Sequence, residues 1–331
     1  MTEEMVSLLS VLNAAEQELS SGGSAAPRTW ETGFDLLDTY LGGGMRAGEL
    51  VLLGGPQGLG KTTFALQVLR HAVAKGGRGL LFSFEHDEQT LLERFLALEA
   101  AEVAGEEGMP LRLIRQAMQQ RDAAGGGLAG RLTSSPGGAE ALAAVNAYGD
   151  RLTIHRSSGR HTTVEVIRER LLELLKTGDA PVVVVDYLQK VSAPGAADEE
   201  DRVTQVVEGL KDLALEAGVP VLAVVAADRD GLMAGKRLRV HNLRGSSALA
   251  YEADAVLLLN DKYDIVARHH LVYDAGSAER FRAYAVLSID KNRSGLDKID
   301  LEFRKHFEQG RFERSGRPVQ EQLVDERVFV E

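Results

Sequence analysis

The stretch Gly55-Pro56-Gln57-Gly58-Leu59-Gly60-Lys61-Thr62 fits G-x-x-x-x-G-K-[ST], a spacing whose chemistry is the holding of phosphate. Glycines let successive backbone N–H groups curl around a β-phosphate, and the N-terminus of a following helix adds partial positive charge. Lys61 then reaches the β and γ oxygens, while the Thr62 hydroxyl supplies an oxygen to magnesium. The competing reading is a glycine-rich turn that merely joins strand to helix. Against it, a lysine at the start of a helix opposes the helix dipole unless an anion is present. The expected nucleotide-binding set is Gly55, Gly58, Gly60, Lys61, Thr62 and Thr63.

Hydrolysis needs acids as well. Asp186 ends the uninterrupted apolar run in "PVVVVDYLQK", where an unpaired carboxylate would be costly to bury. With Thr62 it is the expected magnesium ligand pair; the bland alternative is an acid that simply ends a strand at the surface. Glu85 in "LLFSFEHDEQ" stands at the C-terminal end of another apolar run, the edge where open α/β sheets collect ligands. It is a candidate general base for an attacking water. It can equally be the first acid of the next helix, where His86, Asp87 and Glu88 also sit, and the residues alone leave both readings open.

The elements that must position these groups are legible as short apolar runs at 50–53, 79–84, 152–155, 181–185, 220–225, 255–259 and 283–290. Helical periodicity fills 61–75, 88–102, 163–176 and 201–217 between them. Runs of Val and Leu without polar alternation suit strands covered on both faces, so the expected fold is α/β, a mainly parallel sheet flanked by helices. Met5, Leu8, Leu12, Ala15 and Leu19 repeat at helical spacing before "SSGGSAAP". Residues 1–25 therefore read as an amphipathic linker helix with its Gly-Ser joint, and 26–331 as one domain. Within that domain, 103–149 is a Gly/Ala-rich excursion, helical or mobile, with no nameable chemistry.

Composition narrows the classes. The 331 residues, 44% of them apolar, are enough for a full core, and the absence of cysteine excludes disulfides, iron–sulfur clusters and thiolate zinc. No apolar run reaches the roughly 20 residues that span a bilayer, and "MTEEMVSLLS" carries acid where a secretory signal carries lysine, so a cytoplasmic protein without a membrane partner is expected. The net charge of −11 argues against a surface coated for nucleic acid. One stretch departs from that balance: "RDGLMAGKRLRVHNLRGSS" holds Arg229, Lys236, Arg237, Arg239, His241 and Arg244 against Asp230 alone. It reads either as a solvated loop or as a phosphate-tracking one, with Lys236, Arg237, Arg239 and Arg244 as the expected contacts. Trp30 reads as a packing anchor, and neither His155 nor His270 has a metal-ligand partner at helical spacing.

Taken in order, "TGFDLLDTYLGGGMRAGELVLLGGPQGLGKTTFALQVL", "FSFEHDEQTLLERFLAL", "VVVVDYLQKV", "VVEGLKDLALEAGVPVLAV", "LRGSSALAYEADAVLLL" and "IDKNRSG" resemble the motor domain of the DnaB-type replicative helicases, from about Thr32 to Phe303. The resemblance implies a RecA-like P-loop ATPase using ATP and Mg2+, assembled as a hexameric ring on single-stranded DNA in replication. It implies Lys61 and Thr62 as phosphate and magnesium ligands, Asp186 as the second-motif acid and Glu85 as the catalytic glutamate. Lys291 and Arg293 in "DKNRSG", otherwise two cations of a solvated loop, match the basic pair that reaches a neighbour's γ-phosphate. Residues 3–20 match the family's linker helix, which docks on the adjacent subunit.

Departures carry equal weight. Some thirty residues precede the match, so the expectation is a motor standing without the family's N-terminal helical domain, with an unknown protein partner in its place. Ala226 stands where the family has a glutamine that senses the γ-phosphate, and Gly245 and Ser247 replace an acid and a glycine beside Arg244. These changes fall on coupling and DNA loops. The expected activity is ATP hydrolysis driving binding to or translocation on single-stranded DNA; the alternative is an ATP-dependent assembly switch that recruits a partner without unwinding.

Overall fold

The computed structural model describes residues 5–119, 127–233, 235–272 and 276–326. Helix α1 (Leu8–Ser20) comes first, capped by Ser7, whose hydroxyl accepts the Ser10 N–H. It buries none of its own residues: Leu8, Leu9, Val11, Leu12 and Leu19 all face solvent, Leu8 at 85% exposure. A single helix of this length is marginal in water, so that stripe calls for a second surface. Residues 1–4, part of the expected helix, lie outside the described residues.

After the joint, β1 (Thr29–Trp30) and β2 (Met45–Arg46) pair antiparallel around α2 (Asp35–Tyr40). Trp30 is buried there, under the guanidinium of Arg28. The main sheet follows, ten-stranded among the described residues. Its parallel part comprises β3 (Leu50–Gly55), β4 (Arg78–Ser83), β5 (Leu152–Arg156), β6 (Pro181–Asp186), β7 (Val221–Ala226) and β8 (Ala255–Asp261). Then β9 (Tyr284–Asn292), β10 (Ile299–His306), β11 (Arg311–Phe312) and β12 (Arg317–Pro318) extend it antiparallel. The spatial order is β11-β10-β9-β8-β3-β7-β6-β4-β5, with β12 also on β10.

Alternation along each strand makes two cores. Val51, Leu53, Val182, Val184, Leu222 and Val224 face one layer, and Leu50, Leu52, Val183, Val185, Val221 and Val225 the other. Helix α3 (Lys61–Ala74) and α4 (Glu88–Ala104) cover the first, with Phe64 stacked on Phe34 at 4.3 Å between ring centres. Further along the chain, α5 (Leu111–Gln119), α6 (Gly127–Leu132) and α7 (Gly138–Tyr148) make up the excursion, and α8 (Val164–Leu175) and α9 (Glu199–Ala217) cover the second layer. Each Leu or Val buried this way contributes about 1.5–3 kcal/mol. The excursion is ordered helix where described, with a small core of its own, Met109, Ile114, Leu132 and Ala141 on Leu96 and Ala100. Residues 120–126 of it lie outside the described residues. No helix among the described residues is long and apolar enough to cross a membrane.

Candidate active site

The phosphate loop leaves the sheet where β3 ends beside β7, Gly55 opposite Ala226. A Cβ on Gly54 would lie 2.5 Å from Leu243 and 2.8 Å from Leu258, so only glycine lets the neighbouring layer approach. Gly58 and Gly60 take φ of +78° and +87°, the left-handed region, and α3 starts at Lys61 directly after. Lys61 Nζ donates to the carbonyls of Gly55 at 2.7 Å and Pro56 at 2.9 Å. Burial pulls its pKa below the usual lysine range, against the pull of Asp186 and Glu85. A triphosphate would offer that ammonium charged acceptors instead of neutral carbonyls, a stronger hydrogen bond.

Register brings the acids to the same mouth. Ser83 of β4 sits opposite Asp186 of β6, so both strands end together. The Ser83 hydroxyl donates to His86 O at 2.8 Å and accepts the His86 N–H at 3.1 Å, pinning a tight turn that carries Glu85 at its crest. Helix α4 begins only at Glu88, with Asp87 as its cap, so Glu85 lies before the helix. The Thr62 hydroxyl donates to Asp186 Oδ2 at 2.7 Å. Burial pushes the Asp186 carboxyl up to about 6, with Glu85 adding to the rise while Thr62, Lys61 and Arg94 oppose it. Gly55, Gly58, Gly60, Lys61, Thr62, Thr63, Glu85 and Asp186 all line one cleft of about 520 Å³.

The Thr62–Asp186 pair fits magnesium by donor chemistry: two hard oxygens, one on a buried carboxylate that lacks enough positive charge around it. Among the described residues no cluster of three His, Asp or Glu side chains could hold a metal ion. Magnesium at this pair would take its other ligands from phosphate and water, as that ion commonly does.

Sequence reasoning missed Arg94, which α4 places in the cleft two turns after Glu85. Its buried Nε has no hydrogen-bond partner, and burial lowers its pKa against the pull of Asp186. The signal in sequence is weak, since "LLERFLAL" reads as an ordinary amphipathic turn. Gln189 was missed as well. Its side chain donates to Arg244 O at 2.8 Å and accepts Ala226 N–H at 3.1 Å, linking the end of β7 to the basic stretch.

Lys291 and Arg293 stand apart from the cleft. Strand β9 runs antiparallel to β8, with Lys291 opposite Val256, and Val256 is in turn opposite Leu52. The pair therefore lies roughly 10 Å below the phosphate loop along the strands and two strands to the side. Lys291 Nζ donates to Ala250 O at 2.7 Å, and half-exposed Arg293 reaches Asp254 Oδ1 at 3.3 Å.

The basic stretch differs from a free cationic loop. Arg237 is only 7% exposed and paired with Asp300 and Ser288. Arg239 is shared between Asp290 at 3.1 Å and Asp325, and Arg244 grips Glu199 with two nitrogens at 2.9 and 3.0 Å. Lys236 lies 3.5 Å from Asp230. The physical reason is the chain's acid excess: carboxylates from β9, β10, α9 and the C-terminal segment neutralise what the local sequence presents as bare charge. Arg237 in particular is a core ion pair, not a surface contact. His155 and His270 are likewise engaged, with Ser157 and the Gln322 N–H.

The DnaB-like helicase C terminal domain family model matches residues 30–313. The replicative DNA helicase DnaB of Pasteurella multocida is 29% identical over 282 residues, 83% of this chain and 54% of that protein. The replicative DNA helicase DnaB of Rhodothermus marinus is 30% identical over 237 residues, 70% of this chain and 22% of that protein. The chain thus spans about half or less of the length of these curated relatives. Among solved structures, an isolated ATPase domain superposes with a TM-score of 0.72 at 22% identity, covering 93% of this chain and 99% of that one. A DnaB-like replicative helicase described with its interactions with primase gives 0.71 at 20% identity, covering 92% and 68%. The parallel sheet, its phosphate loop and the paired acids at its edge thus recur in fold, and the matched sequence spans all of them: the chain belongs to the DnaB-like helicase C-terminal domain family.

Proposed function

We propose that this chain is a Mg-ATP-hydrolysing ring ATPase, a hexamer working in the cytoplasm at replicating DNA, which binds or moves on single strands. The observation that supports it most is a division of labour across the sheet. Lys61, Thr62, Glu85 and Asp186 converge on one cleft, while Lys291 and Arg293 sit at the opposite edge. A site so divided is complete only when the next copy brings its cations to the triphosphate.

Within that seam, the loop N–H groups and Lys61 hold the phosphates, and Arg94 adds a second cation from the same copy. Glu85 orients the attacking water and takes its proton. Thr62 and Asp186 would hold magnesium, which when bound neutralises charge on the β and γ oxygens. Lys291 and Arg293 meet the charge that develops on the γ-phosphate of the neighbour's nucleotide. Helix α1 lays its uncovered stripe on an adjacent copy, tied by the Gly-Ser joint.

Turnover measured with and without single-stranded DNA, at low and moderate salt, tests the reading. Lys61→Ala abolishes turnover. DNA stimulation that fades with salt and is lost in Arg244→Ala supports the motor. Turnover indifferent to DNA favours a second reading, in which ATP only holds a ring or filament together for a protein partner. The ion-paired basic stretch and the bare Ala226 speak for that alternative.

A further inference from the structure

We propose that Asp254 is the positioning residue of the cation pair, holding Arg293 toward the neighbouring copy and fastening it to the base of the strand that carries this copy's own phosphate loop. The inference rests on the shared-seam reading above.

Asp254 is buried at the foot of β8 and joined to β3 on both sides: its N–H donates to Leu50 O at 2.9 Å, and its Oδ2 accepts the Leu50 N–H at 2.8 Å. The same Oδ2 accepts Lys211 Nζ of α9 at 2.7 Å, and that ammonium also donates to Gly48 O at 2.9 Å. Oδ1 is left for Arg293 at 3.3 Å, while the Arg293 backbone N–H donates to Asp254 O at 2.8 Å. Arg293 also reaches Tyr251 O, and Lys291 takes Ala250 O and Tyr251 O at 2.7 and 3.2 Å. The one buried carboxylate therefore meets the cation of the finger, a helix of the second layer and the first residue of β3.

A long arginine side chain is rich in rotamers, and it must surrender that freedom each time it engages a phosphate. Anchoring one nitrogen to a fixed carboxylate removes part of that loss beforehand, and the half-exposed remainder still faces outward. Strand β3 runs unbroken from Leu50 to Gly55, so a shift of the phosphate loop in one cleft bears directly on the cation that serves the next. A purely structural carboxylate would support both sites of its own chain equally. A positioning residue damages only the finger.

Subunit exchange separates these. Asp254→Asn keeps the size and an acceptor for Leu50 N–H. Alone, it is expected to assemble normally and bind fluorescent ADP as wild type, with KM for ATP within about twofold and kcat down at least about tenfold. Mixed with Glu85→Gln, whose finger is intact, it should regain roughly a quarter of wild-type turnover, the share of seams pairing a working cleft with a working finger. Mixed with Arg293→Ala, it should regain nothing. Recovery in that second mixture, or loss of ADP binding in Asp254→Asn itself, overturns the proposal. Asp254→Glu guards against misfolding: it should donate a weakened finger, and donor strength equal to wild type also overturns the idea. The Glu85→Gln and Arg293→Ala mixture tests the seam reading separately; no recovery there removes that reading and the proposal with it.

Discussion

The hydroxyl of Thr62 donates to Asp186 Oδ2 across 2.7 Å, tying the first turn of α3 to the end of β6. That carboxyl is buried and raised to about 6, chiefly by desolvation. Relative to its ordinary value of 3.8, the folded state binds the proton more tightly, so stability falls as pH rises from about 4 to about 6 and stays reduced above. A rise of that size corresponds to on the order of 3 kcal/mol. Asp186→Asn is expected to unfold later than wild type in urea at pH 7.5 without nucleotide or metal, with a smaller gain at pH 4.5, and to hydrolyse no ATP. Equal midpoints at both pH values would refute the account.

Gly60 combines a φ of +87° with rings crowding the place of a Cβ, 2.8 Å from both Phe307 and Phe312. Gly60→Ala adds a left-handed penalty of about 1–2 kcal/mol to the crowding and pushes the loop away from its rings. Thermal unfolding should fall by several degrees and ADP affinity at least about tenfold. Gly58→Ala, which meets no atom within 4 Å, carries the backbone penalty alone and should lose less on both counts.

Arg94→Ala removes a cation from the cleft without touching the loop. Turnover is expected to drop about 10²-fold while the fold keeps its melting temperature, since the buried Nε has no partner to lose. Arg94→Lys should recover only part of the rate. A variant with unchanged kcat/KM would exclude Arg94 from the chemistry.

Much of the fold and cleft is legible in the residues, for identifiable reasons. Strands β3, β4, β6, β7 and β8 are buried on both faces, so their Val and Leu runs announce themselves, and the two acids stand where those runs stop. Strand β10 is not legible, because "IDLEFRKH" mixes buried Leu301 and Phe303 with charges whose partners, such as Lys262 for Glu302, come from distant sequence. Arg94 is hidden for a related reason: a helix gives every arginine the look of a solvated face until the sheet beneath it is known. The basic stretch misleads in the opposite sense, since local charge says nothing of Asp300 or Asp325 some 60 to 90 residues away.

Two arginines of that stretch part company experimentally. Arg237→Ala strands Asp300 and should destabilise the fold by about 2 kcal/mol, less than a fully buried pair because Asp300 keeps some contact with water. Arg244→Ala breaks a surface pair with Glu199 and should change stability by under about 1 kcal/mol. If single-stranded DNA is bound, only Arg244→Ala should flatten the plot of log affinity against log salt, by about 0.7. Filter binding over a salt series, with urea melts alongside, decides.

Deleting residues 1–22 removes α1 and its uncovered leucines but no buried contact of the main body. The truncated protein should melt within about 2 °C of the full chain yet show a lower assembled mass by light scattering with ATP present. An unchanged mass would mean the helix is not what joins copies.

Strand β9 turns back against β8, and this single reversal has a further effect. On the seam reading, it aims each copy's trigger away from its own fuel. A solitary chain loaded with nucleotide then idles, and burning begins only once concentration or a track brings copies shoulder to shoulder, so dilution itself acts as the off state.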